Sequence, residues 1–378
     1  MEIIISGAGI AGLCVALALK QRGHTVTIYE RSKAQSGLGA GISLWPNAIK
    51  ALDQLGVGGV VRSNGTSNHS GGIFAATGRL LVAEDTAAID ACYGAPTVMI
   101  HRAMLSDILL NALGQSPQYH IAVNHYTQDH DAVTATLSNG SVVHADMLIG
   151  ADGINSAIRQ QWFPHITPRY AGYTAWRGVC YFDHDRVGAR WGEWLGAGQR
   201  FGIAPLKNDA IYWYATQNQP AYQFIDINNR QTHLLRLFAD WGVQVPAIIA
   251  ATASAAIMQH DIYDLPTLPY WVDNRVGLLG DAAHAMTPNL GQGGCQAIED
   301  AVVLAKTVTT LNDVVAGLQT YQLARKSYVE TIVAKSRQIG AVLSIDNRWA
   351  SAIRNLILAR LPATLSQRQL HPILAHEV

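Results

Sequence analysis

Three glycine-rich turns and a glycine loop hold the residues whose types and spacing could do chemistry. Gly7-Ala8-Gly9-Ile10-Ala11-Gly12 is followed, 18 residues after Gly12, by Glu30. Such a turn sets backbone N–H groups and the positive end of a helix against a pyrophosphate. Gly7 permits the tight turn, Gly9 lets backbone approach the phosphates, Gly12 lets helix pack on strand, and Glu30 would accept from a ribose hydroxyl. Gly150-Ala151-Asp152-Gly153 and Gly280-Asp281-Ala282-Ala283-His284 each place an aspartate in a turn, where a carboxylate can bond polyol hydroxyls. Gly291-Gln292-Gly293-Gly294 feeds a helix N-terminus, which offers N–H groups and a positive dipole end to negative charge. The chemistry indicated is the binding of a dinucleotide; the first turn alone does not separate FAD from NAD.

These turns need strands before them and helices after them. Met1 to Ser6 reads as a buried strand, Leu13 to Arg22 as a helix and His24 to Glu30 as a second strand, a βαβ unit. Asn47 to Leu55 and Arg102 to Leu113 have helical patterns, with mixed strand and loop expected from Gly58 to about Thr97. Ala132 to Leu137 and Val142 to Ala145 read as a hairpin, and Met147 to Ile149 and Arg275 to Leu279 as buried strands feeding the two aspartate turns. Tyr170 to Trp271 is rich in tryptophan and tyrosine in short β-like runs, and reads as a sheet walling a pocket. With period two, Tyr212 and Tyr214 share one face and Trp213 points to the other. Beyond Gly291 the chain reads as helical, ending in an amphipathic stretch from Asn347 to Leu361 that is expected to cap the nucleotide lobe.

Composition narrows the partners. The 378 residues carry 27 Lys+Arg against 27 Asp+Glu, so no general charge draws nucleic acid or an anionic membrane, and the 49% apolar fraction excludes a disordered chain. The four cysteines lack CxxC spacing and the 14 histidines form no HxxH or HExxH pair, so no metal site and reduced cytoplasmic thiols are expected. Residues 1–19 lack the basic start of a signal peptide, and no transmembrane span is expected. His284 is expected to be a core histidine satisfied by backbone, and Cys295 a packing residue.

Taken together, Gly7–Gly12, Gly150–Arg159 and Gly280–Pro288 resemble the class A flavoprotein aromatic hydroxylases, the family of para-hydroxybenzoate hydroxylase, in motif order from residue 2 to at least Lys306. The resemblance implies an α/β fold: a Rossmann-like FAD-binding domain, an inserted and mainly β-sheet substrate domain, and a C-terminal helical segment. The expected FAD domain is residues 1–72, 98–169 and 272–345, the substrate domain 73–97 and 170–271, and the helical segment 346–378. It implies FAD on Gly7, Gly9, Ala11, Gly12 and Glu30, with Arg31 and Arg102 beside the adenine ribose and pyrophosphate, and Asp281 as ribityl and pyrophosphate ligand. Asp152, with Arg159, matches a motif tied to FAD and NAD(P)H, with a structural role in the turn equally open. Gly291, Gly293 and Gly294 would meet the flavin pyrimidine edge and Pro288 the substrate side of the ring. Gly41, in the segment Gly39 to Asn47, would lie beside the isoalloxazine.

The implied activity is a monooxygenase that consumes NADH or NADPH and O₂. It would hydroxylate a small aromatic or heteroaromatic substrate through a flavin 4a-hydroperoxide, as a monomer or homodimer. Arg200, followed 12 residues later by Tyr212, resembles the pair that holds the purine in FAD-dependent urate hydroxylases. An epoxidase or antibiotic-modifying monooxygenase of the same fold, and a flavin-binding redox sensor without turnover, remain alternatives. The absence of WxWxIP reads against a halogenase.

Overall fold

A computed structural model describes residues 1–33, 40–67, 71–188, 190–242, 244–360 and 371–376. The apolar run Glu2–Ser6 forms the centre of a six-stranded sheet. Its strand order is Val272–Asp273, Val276–Leu278, Met147–Gly150, Glu2–Ser6, Thr25–Glu30 and Gln118–Tyr119, parallel except at the first pair. Parallel strands covered on both faces must be apolar throughout, and Met147–Gly150 is buried at every position. The helices Ile10–Gln21 and Gly293–Leu311 pack together over this sheet, which brings the first and third glycine turns into one region although Gly12 and Gly280 are far apart in the chain.

The second large sheet has seven strands, ordered Met258–Asp264, Arg169–Tyr181, Ala210–Asn218, Gln199–Pro205, Gly192–Leu195, Gly71–Ala75 and Leu80–Glu84. Alternation gives it two unlike faces. One buries Trp176, Trp194, Phe201 and Trp213 against the helices Arg230–Leu237 and Gln244–Ala250, with Phe201 stacked on Trp213 at 5.5 Å. On the other, register sets Arg200 opposite Thr216, Gly202 opposite Tyr214 and Ala204 opposite Tyr212. Trp213 thus points away from Tyr212 and Tyr214, as the period-two reading expects.

Several elements depart from the sequence reading. Gly58–Asn64 and Thr86–Tyr93 are helices where strand and loop were expected. The first opens on two glycines and two valines, poor helix formers, and burial of Val61 overrides that preference. The helices Arg230–Leu237 and Gln244–Ala250 interrupt a region read as β, because Leu234 and Phe238 lie one turn apart and fill the aromatic core. The strand Val123–Gln128 joins the expected hairpin as a third strand. The C-terminal helix, Arg348–Leu358, packs by the edge strand Leu80–Glu84 of the seven-stranded sheet and, among the described residues, is tied to the nucleotide lobe only at the end of helix Val314–Leu343: Arg354 donates to Gly196 O at 2.9 Å and Leu343 O at 2.7 Å. Leu361, the expected end of that helix, lies outside the described residues. Among the described residues, no helix is long and apolar enough to cross a membrane, and no His/Cys/Asp/Glu cluster could hold a metal.

Candidate active site

The first turn is assembled from bare backbone. Gly7 has φ +105°, and a Cβ there would lie 2.4 Å from Ala151 O; a Cβ on Gly12 would lie 2.0 Å from Gly7 O. Both glycines are required by close packing within the protein. Gly9 differs, because a Cβ there would meet nothing within 4 Å, and Gly9 caps the N-terminus of the Ile10–Gln21 helix without a side-chain bond. Open space before free helical N–H groups is what a pyrophosphate needs. The Glu30 carboxylate accepts from Ala8 N and from Ser32 N, both at 2.8 Å, so it stiffens the turn and keeps lone pairs for a ribose. Arg31 is exposed just beyond it.

The other two turns are tied to this one. Gly280 has φ +60°, and its Cβ would lie 3.0 Å from that of Ala11, so Asp281 stands exposed at the start of its short helix beside the first turn. Asp152 accepts from Ala157 N at 2.8 Å; burial raises its pKa against the opposing hydrogen bonds of Ser156 and Ala157. Arg159 is fully buried and donates to Ile154 O at 2.6 Å and Ala282 O at 3.3 Å, a strut between the second and third turns.

Beneath the third turn lies a closed ionic core. Arg325 pairs with Asp300 at 2.8 Å and with Glu299 at 2.6 Å, all three fully buried. His284 pairs through Nε2 with Asp300 at 2.5 Å, so a side chain rather than the expected backbone satisfies it. Burial alone would raise the Asp300 pKa, yet the charges of His284 and Arg325 outweigh it and hold the carboxyl below its ordinary value. Asn47 bonds Glu299 and, at 3.2 Å, Gln292, linking this core to the glycine loop.

The loop that follows meets the segment at Gly41. Pro288 is exposed at the head of a single 3₁₀ turn, and Gly291 closes it at φ +63°. A Cβ on Gly294 would meet Ile42 Cδ1 at 2.7 Å, whereas one on Gly293 has only Met286 Cγ near, at 3.6 Å. Cys295 is buried and its thiol is pushed up to about 12, which leaves it inert. Gly39 lies outside the described residues.

FAD fits these residues. Gly9 and Gly293 leave open space where their neighbours leave none. Two buried donors at the glycine loop, Trp45 Nε1 and Gln292 Nε2, have no partner within the described residues. Other buried donors, such as Trp176 Nε1 and Trp194 Nε1, also lack a partner, but these two border the loop where the flavin's carbonyl and ring-nitrogen acceptors would lie.

The front face of the seven-stranded sheet closes the site. Arg200 is buried, donates to Asn289 Oδ1 at 2.8 Å and Thr216 Oγ1 at 3.4 Å, and has Glu193 Oε1 at 3.3 Å. Burial would lower its pKa, but Glu193 and the surrounding tyrosines raise it, so the guanidinium stays charged. Asn289 directly follows Pro288 and is held in turn by Thr287 and Ser336 O. Tyr212 lies against bare Gly41, whose Cβ would fall 2.6 Å from the ring. Burial raises the Tyr212 pKa; Arg177 and Arg102 pull it partly back. Arg200 and Tyr212 share the face with Tyr214 between them. Sequence reasoning missed the partners of Arg200: Asn289 had a signal in its place after Pro288, whereas Glu193 and Thr216 had none.

A backbone-lined dinucleotide cleft meeting the polar face of a mixed sheet defines a two-lobed flavoenzyme. Residues 1–336 match the FAD binding domain family, and the chain belongs to it. It is 38% identical over 359 residues to the aurachin C monooxygenase/isomerase of Stigmatella aurantiaca, covering 95% of this chain and 94% of that one. It is 35% identical over 364 residues to an FAD-dependent urate hydroxylase of Klebsiella pneumoniae, covering 94% of each. Klebsiella pneumoniae HpxO complexed with FAD and uric acid superposes with a TM-score of 0.93 at 31% identity, covering 99% of this chain and 96% of that one. The protein is an FAD-dependent monooxygenase of the class A type, an oxidoreductase.

Proposed function

We propose that the enzyme uses NADH or NADPH and O₂ to hydroxylate a small heteroaromatic substrate bound between the glycine loop and the front of the seven-stranded sheet. One observation carries the reading: Arg200, buried and charged, is bonded to Asn289 of the very loop that would edge the flavin. The similarity to a urate hydroxylase and to HpxO with uric acid supports the substrate class. FAD, when bound, supplies the redox chemistry and the activation of oxygen.

The chain's own residues do the rest. Gly7 to Gly12, Glu30, Arg31, Arg102 and Asp281 would hold the adenosine, pyrophosphate and ribityl portions. The N–H groups at Gly293 and Gly294, with Trp45 and Gln292, would bond the pyrimidine edge and stabilise negative charge there, while Gly291, whose N–H closes the turn on Pro288 O, would shape the loop beside it. Arg200 has five N–H groups, more than its partners Thr216, Asn289, Glu193 and Tyr173 use, and the remainder would bond an acceptor on the substrate ring. Tyr212, kept protonated by burial, would donate its hydroxyl proton in a hydrogen bond to a second acceptor. Residues 1–72, 98–169 and 272–345 would act as the FAD domain, and 73–97 with 170–271 as the substrate domain. The test is substrate-stimulated oxidation of NADH or NADPH with one atom of labelled O₂ in the product. Rapid oxidation that yields only hydrogen peroxide across a panel of purines, quinolones and phenols would overturn the reading.

A further inference from the structure

The C-terminal helix Arg348–Leu358 is inside out. Its buried positions are Ser351 and Arg354, and the Arg354 guanidinium is spent on two backbone carbonyls, Leu343 O and Gly196 O. Its solvent side carries Trp349, 83% exposed, with Ile353 at 59%, Leu356 at 48% and Ile357 at 54%. Positions 349, 353, 356 and 357 fall on one stripe of a 3.6-residue helix. A surface helix normally shows the reverse arrangement, so this stripe is shaped for an apolar surrounding.

Charge says which one. From Asn347 to Arg360 the chain holds three arginines and no acid, with Asp346 just before it. Arg348 and Arg360 are exposed at the two ends of the stripe. A helix with a tryptophan-bearing apolar side and arginines at its margins suits the interface of an anionic bilayer. A second copy of the chain fits less well. Four side chains on one short helix present far less than the ~800 Å² per partner of a standard stable interface, and like-charged arginines would be brought together.

We infer that the outer face of Arg348–Leu358 docks on an anionic phospholipid bilayer, holding the enzyme by the edge of its seven-stranded sheet. The experiment is co-sedimentation of the FAD-loaded full chain with vesicles of phosphatidylcholine alone or mixed equally with phosphatidylglycerol, at low and high salt. Binding to the mixed vesicles is expected, weakening with salt. It should fall about tenfold in the double variant Trp349→Ser with Ile353→Ser, whose flavin absorbance and melting temperature stay unchanged because both side chains face solvent. Arg348→Gln with Arg360→Gln should remove the salt-dependent part alone. The inference is overturned by no binding to either vesicle, or by binding that the double serine variant leaves intact. It is also overturned if light scattering finds a dimer that this variant dissociates, which would make a second copy the occupant.

Discussion

The nucleotide turns and the front of the seven-stranded sheet solve the same problem by different means. Each must hold a polar ligand in an apolar surrounding. Around Gly7 to Gly12 the groups proposed to face the ligand are backbone, and the nearby side chains of Arg325, Glu299, Asp300 and His284 are buried and paired with one another, with His376 joining at Glu299. On the sheet the groups proposed to face the ligand are side chains, and Arg200 keeps its charge among partners from other elements, Glu193, Thr216 and Asn289. Backbone geometry recognises phosphate generically, whereas a side-chain constellation selects one ring. The contrast teaches where tolerance should lie: the turn resists any added atom, and the sheet face can be retuned.

The largest effect is expected where the contrast is sharpest. Arg325→Met leaves Glu299 and Asp300 buried without their cation and should cost about 3–5 kcal/mol, read by chemical denaturation; wild-type stability would show that the ionic core is not closed. Next, Gly9→Val should weaken FAD about 100-fold or more while leaving the fold intact, since its Cβ enters ligand space and meets no protein atom. Flavin retention and a melting curve measured together decide this, and normal retention would sink the pyrophosphate assignment.

On the sheet the expected losses are smaller. Arg200→Gln should lower coupled product formation by about 10–100-fold, the worth of a hydrogen bond to a charged group, with FAD binding unchanged; a loss of FAD instead would make Arg200 part of the cofactor site. Tyr212→Phe removes one neutral hydrogen bond and should cost about tenfold or less in substrate affinity, measured as KM against kcat. The least effect is on acid stability. Asp300 has a lowered folded-state pKa, so its contribution is complete above the ordinary aspartate value of about 4 and is lost as pH falls through the lower folded value. Wild-type melting temperature should therefore drop more steeply than that of Asp300→Asn below about pH 4; parallel slopes would remove Asp300 from the linkage.

The dinucleotide end was legible because its determinants are local. The strand, turn and helix around Gly7, Gly9 and Gly12 occupy adjacent positions, and the period-two alternation of Tyr212, Trp213 and Tyr214 correctly sorted their faces. Helix propensity misled at Gly58–Asn64, where core burial of Val61 outweighs two glycines. For the C-terminal helix, the pattern showed that one side is apolar but not which side meets protein; a single arginine, Arg354, decides that by clamping the polar side to Gly196 and Leu343.

By itself the sequence determined the cofactor class, since a phosphate cradle needs small residues at fixed local spacing and admits few substitutes. Only the tertiary structure decided which charges are free to act. Arg325 and Arg200 are both buried arginines, yet one sits on two carboxylates of a neighbouring helix and the other has the single carboxylate of Glu193 and reaches Asn289 at the glycine loop. Their partners stand 25 and 89 residues away, and the energy of a buried charge depends on those partners, which chain spacing does not encode.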